Sequence, residues 1–131
     1  HSMAHALGAQ FHLPHGRSNA LVMESVIQYN ADLAGTANNY AAWKYRMMAE
    51  RLNLPARTPR EGTVSLLYAI RKLKREIGIP QGIQATGKVD PELFEKAVEG
   101  MAEEAMHDRC TPTNPTPPTK EDIVRLYRES F

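Results

Sequence analysis

The apolar residues of this chain recur at helical spacing, and nowhere does a run alternate apolar and polar residues with a period of two. A strand with one face on a core needs that alternation, so the pattern excludes a sheet and admits helices. Leu66, Leu67, Ile70, Leu73 and Ile77 fall at i, i+1, i+4, i+7 and i+11. The limits of that helix are written beside it. Thr58-Pro59-Arg60-Glu61 offers a capping hydroxyl, a proline at the first helical position and a glutamate three residues after the cap. Gly78 followed by Pro80 supplies the stop.

The same reading predicts further helices along the chain. His1 to Leu7 reads as helix already in progress, with no capping residue before it, and Gly8 to Gly16 reads as a short loop holding Phe11 and His12. A helix over 18–30 carries Ala20, Leu21, Val26 and Ile27, and a loop follows to Asn39. The next helix, over 40–52, presents Ala41, Tyr45, Met48 and Leu52. Asp90-Pro91 opens another, with Leu93, Phe94, Ala97, Val98, Met101, Ala102, Ala105 and Met106 on one side. After a break at Pro112, Pro115, Pro117 and Pro118, Thr119-Lys120-Glu121-Asp122 begins the last. The expected fold is all-α, an irregular bundle of five to six helices. Met47, Met48, Met101 and Met106 are expected to fill its core, and the charged stretch Arg71 to Glu76 to be a solvated face.

Composition narrows the function classes. A length of 131 residues suits one domain and is too short for a dinucleotide fold plus a catalytic domain. A formal net charge of +1 argues against nucleic acid or an anionic membrane surface as partner. No apolar stretch approaches the roughly 20 residues of a bilayer span. The single cysteine, Cys110, has no internal partner, which points to a reducing, cytoplasmic setting. The glycines, Gly82 and Gly87 included, are not spaced as a phosphate-binding loop.

The opening segment carries the chemistry. His1 and His5 lie four apart, on one helical face, and His15 follows a proline in the turn beyond. Imidazole is the commonest neutral ligand for transition metals, so two or three of these histidines are candidate ligands. Histidine pairs four apart also arise by chance, and both readings stand on spacing alone. The sequence offers no evident carboxylate beside them; Glu24 lies on the next helix. Cys110 is a candidate nucleophile, although a half-buried side chain is the simpler reading.

The segment His1-Ser2-Met3-Ala4-His5-Ala6-Leu7-Gly8-Ala9-Gln10-Phe11-His12-Leu13-Pro14-His15-Gly16 closely resembles the metal-site signature of the iron-containing (group III) alcohol dehydrogenases. The likeness continues through Asn19-Ala20-Leu21, Val26 to Ala31, Glu76 to Pro80, Cys110-Thr111 and Asn114-Pro115, in family order. Its form is most like the alcohol dehydrogenase half of bifunctional aldehyde–alcohol dehydrogenases. The resemblance implies the C-terminal helical domain (residues 1–131) of a two-domain enzyme, with the N-terminal nucleotide-binding domain absent from this sequence. It implies an enzyme that interconverts a small aldehyde and an alcohol, as in fermentation, with NAD or NADP and with iron(II), zinc in some members.

The residue roles that the resemblance implies are specific. Two of the family's metal histidines match His1 and His15. His5 matches a histidine near the nicotinamide, proposed to move protons. Cys110 matches a position near the substrate pocket. The family's common Cys-Thr-Gly-x-Asn-Pro-Arg is altered here, with Pro112 for the glycine and Thr116 for the arginine, so the local backbone and the role of Cys110 are open. The resemblance also implies a homo-oligomer, filamentous in the bifunctional subtype, and a fragment inactive alone. The competing reading is a stand-alone helical metal-binding or assembly module without catalysis.

Overall fold

The structure, a computed structural model, describes all of residues 1–131. It holds six α-helices and no strand: α1 (Ser2–Phe11), α2 (His15–Asn30), α3 (Tyr40–Arg51), α4 (Pro59–Glu76), α5 (Pro91–His107) and α6 (Lys120–Glu129). Short 3-10 turns at Gln84–Thr86 and Thr111–Thr113 interrupt the last two connections. The all-α expectation holds. None of the helices is long and apolar enough to cross a membrane.

Local signals set most helix starts. The Thr58 hydroxyl accepts from the Glu61 N–H at α4, and Asp90 accepts from Glu92 and Leu93 at α5. At α6, Thr119 and Asp122 close a reciprocal capping box. Gly78, at φ 72°, ends α4, while Ile79 N–H returns to the Lys74 carbonyl at 2.8 Å. One boundary differs from expectation. Helix α1 runs on to Phe11 and α2 begins at His15, so the predicted loop over 8–16 shrinks to His12–Pro14.

Four helices, α1, α2, α5 and α6, share the main core, in which Leu7, Phe94, Val98 and Tyr127 are fully buried. The Tyr127 hydroxyl donates to the Met3 carbonyl at 2.7 Å and ties α6 to the first turn of α1. Burial holds that phenol protonated, well above its usual range. The chain end is tied in as well: Ile83 and Gln84 N–H donate to the Ser130 and Phe131 carbonyls at 2.8 and 3.0 Å.

Helices α3 and α4 form an antiparallel hairpin laid against α2. Small residues make the seam, with Ala41, Ala42, Ala49, Gly62 and Thr63 buried. A Cβ on Gly62 would lie 2.6 Å from Arg46 Cα, so the two backbones meet where only glycine fits. Close approach through small residues turns the bulky ones outward. Met47 and Met48 are exposed, against the expectation that they fill the core, and so are the helix-spaced Leu52, Leu73 and Ile77. Met101 is buried as expected, and Met106 packs at the core edge. Leu93 on α5 is also exposed.

The charged stretch on α4 is not wholly solvated. The Lys74 side chain is 5% exposed, and its ammonium donates to Glu24 of α2 at 2.9 Å. Arg71 contacts the other Glu24 oxygen from the half-exposed surface. Arg60 adds a second clasp by donating to the Leu33 and Gly35 carbonyls.

Candidate metal centre

His1 precedes α1 as its uncapped N-terminal residue, His5 follows one turn later, and His15 is the first residue of α2. The return between these helices needs only three residues. His12 takes the left-handed conformation at φ 52°, and Leu13 N–H comes back to the Gly8 carbonyl at 3.2 Å. A Cβ on Gly8 would sit 3.1 Å from the Leu13 carbonyl and 3.3 Å from Ser18 Oγ, which explains the glycine three residues after His5. The tight return sets the start of α2 against α1.

The three imidazoles therefore meet. Ring centroids lie 5.9 Å apart for His1 and His5, and 5.2 Å from His15 to each of them. One nitrogen from each ring falls within 4.8 Å of the other two, and all three residues are exposed. Neutral imidazoles at such separations suit a borderline divalent ion such as zinc or iron(II). The Asn19 amide nitrogen, one turn into α2, donates to the His15 carbonyl at 3.1 Å and lies beside the His15 ring, 3.1 Å from Nε2. His12 and His107 stand outside the cluster.

A carboxylate also reaches the site, contrary to expectation. Asp108, at the C-cap of α5, lies with Oδ2 2.8 Å from His5 Nδ1. Its Oδ1 accepts from the Cys110 N–H at 2.7 Å and from Ser2 Oγ at 3.3 Å. The Cys110 N–H foremost, and then His5, hold the Asp108 carboxyl well below the usual carboxylate range. Glu24 plays no part here, because Lys74 and Arg71 occupy it.

Cys110 sits beside these groups, half-buried, with a ligand atom within 4.8 Å of those of His5 and Asp108. It also lines a small cleft of about 80 Å³ next to His1, walled chiefly by Met3, Val26, Ile123 and Leu126. Of the two altered residues, Pro112 lies in the 3-10 turn Thr111–Thr113 and Thr116 lies beyond it, and the Asn114 amide pairs with that of Asn30. Imidazoles, an oriented carboxylate and an apolar cleft thus converge at one end of the bundle.

Comparison with known proteins shows the family and the fold. The model of the Fe-containing alcohol dehydrogenase family, C-terminal part, matches residues 1–131. The chain is 38% identical to an aldehyde-alcohol dehydrogenase of Streptococcus pneumoniae and 35% identical to the bifunctional aldehyde-alcohol dehydrogenase of Escherichia coli. It is 33% identical to the lactaldehyde reductase of Escherichia coli. All of this chain aligns in each case, and it spans 16% of the length of the first two proteins and 32% of the third. Among solved structures, a 1,3-propanediol oxidoreductase superposes with a TM-score of 0.84 at 29% identity, over 100% of this chain and 32% of that one. An alcohol dehydrogenase from Oenococcus oeni gives 0.83 at 29% identity, with the same coverage. The six-helix bundle and its histidine-bearing end thus belong to the iron-containing alcohol dehydrogenase family.

Proposed function

We propose that residues 1–131 are the metal-holding helical part of an NAD(P)-linked alcohol dehydrogenase that interconverts small aldehydes and primary alcohols. It works with a nucleotide-binding domain of the longer protein. The observation that carries this reading is the meeting of His1, His5 and His15 from two helices, with nitrogen atoms within 4.8 Å of one another. His1 and His15 hold the metal, iron(II) in the first instance with zinc as the alternative. When bound, the ion supplies Lewis acidity to a carbonyl oxygen and the nicotinamide supplies hydride chemistry.

This chain's own residues supply the positioning and the proton path. The cleft beside His1, with Cys110 in its wall, takes the apolar end of a short substrate. His5 is exposed, has Nδ1 committed to Asp108 and keeps Nε2 free, so it is placed to carry a proton between the alcohol oxygen and water. Replacing His15 by alanine in the intact protein is expected to remove the metal, measured by elemental analysis, together with alcohol oxidation. Parental metal content in that variant refutes the ligand assignment.

A further inference from the structure

We infer that Asp108 is the positioning residue of His5: it holds the ring in the Nδ1–H form and keeps the Nε2 lone pair available to the reacting proton. This rests on the reading of His5 as the proton carrier. An ionised carboxylate only accepts hydrogen bonds, so at 2.8 Å from Asp108 Oδ2 the His5 Nδ1 must be the donor. A neutral ring has one N–H, and placing it on Nδ1 leaves Nε2 as an acceptor.

The carboxylate is itself held in one orientation. Oδ1 is taken by the Cys110 N–H at 2.7 Å and by Ser2 Oγ at 3.3 Å, which leaves Oδ2 for His5. The Thr111 hydroxyl, 2.7 Å from Ser2 Oγ and 2.6 Å from the Ala105 carbonyl, ties the same junction to the end of α5. A backbone N–H cannot turn around, so the clamp discriminates between the two ends of any side chain of this shape.

That asymmetry makes asparagine diagnostic. In Asp108→Asn the carbonyl oxygen must face the Cys110 N–H, because the reverse placement sets two donors against each other. The amide NH2 then faces His5 Nδ1 and donates to it, which moves the ring proton to Nε2 and blocks the acceptor. An isosteric change therefore yields the wrong tautomer. Alanine removes the constraint and leaves both tautomers accessible through water.

The test uses the intact, metal-loaded protein, labelled with 15N-histidine and assigned through His5→Gln. The unaltered protein is expected to show His5 protonated at Nδ1, and Asp108→Asn at Nε2. With metal content and melting temperature unchanged, kcat is expected to fall about 10–100-fold in Asp108→Asn and no further in Asp108→Ala. A purely structural role predicts the opposite order, with asparagine the milder change. An Nε2–H tautomer in the unaltered protein overturns the inference even where the variants fold poorly. Parental kcat in Asp108→Asn overturns it too, as does metal loss that parallels the loss of rate. Parental kcat in His5→Ala instead defeats the proton-carrier reading, and the tautomer spectrum separates that failure from this one.

Discussion

Removing the charge of Glu24 should cost far more stability than removing that of Lys74. Glu24 of α2 is 14% exposed and has two cationic partners, Lys74 and Arg71; Lys74 is 5% exposed and has one anionic partner. In Glu24→Gln the Lys74 ammonium stays buried beneath the α3–α4 hairpin with no counter-charge. Stranding one member of a buried pair costs about 3–5 kcal/mol, and the lower end applies because the half-exposed Arg71 can turn to water. For a domain of this size that is a fall in melting temperature of about 10 °C. In Lys74→Met, Glu24 keeps Arg71 and the buried ammonium disappears, so the loss should stay within about 1 kcal/mol. The double variant should lie near Lys74→Met, since the second change strands nothing. Urea unfolding at neutral pH, with unchanged slopes, measures all three. A Lys74→Met variant as unstable as Glu24→Gln would refute the reasoning. The pH dependence follows with its sign. Burial alone would raise the Glu24 pKa, but the bonds from Lys74 and Arg71 outweigh it and hold it below 4.5. The stability it contributes is complete above the ordinary carboxylate range and drains away as pH falls through the lowered folded value. Glu24→Gln should lack that acid-side slope.

Two further substitutions test the packing and the capping. Gly62→Ala should destabilise by about 1–3 kcal/mol, because its Cβ meets the α3 backbone; overpacking outweighs the gain in helix propensity, and a raised melting temperature would contradict the close seam. Thr119→Ala breaks the capping box of α6 and should cost about 1 kcal/mol by denaturant unfolding; no loss would mean that the cap is redundant with tertiary packing.

What could be read in the sequence was local. Thr58, Asp90 and Thr119 cap helices through atoms two or three residues away, and those starts fell where expected. The face that each helix turns inward is a different matter. On α3 the period is met equally by Met48 with Leu52 and by Ala42 with Ala49, and periodicity cannot rank them. The choice fell to the alanines because Gly62 lets α4 approach too closely for methionine. Lys74 resembled its solvated neighbours because its partner lies 50 positions away.

The site divides along the same line. His1, His5 and His15 sit within one helix and one turn, so their spacing carried most of their geometry. Asp108 lies 103 residues from His5, and no helical period links them. Its only local trace is an aspartate two residues before Cys110, the spacing at which a carboxylate oxygen accepts the N–H two positions on. That turn has a consequence beyond the loop. By occupying Oδ1 it leaves Oδ2 for His5, so a backbone feature at the end of α5 sets which carboxylate oxygen meets a ring on α1. The replacements at Pro112 and Thr116 fall beyond this turn, and neither residue is among the hydrogen-bond partners of Asp108. The orientation proposed for His5 thus depends on the Asp108–Cys110 step rather than on Pro112 or Thr116.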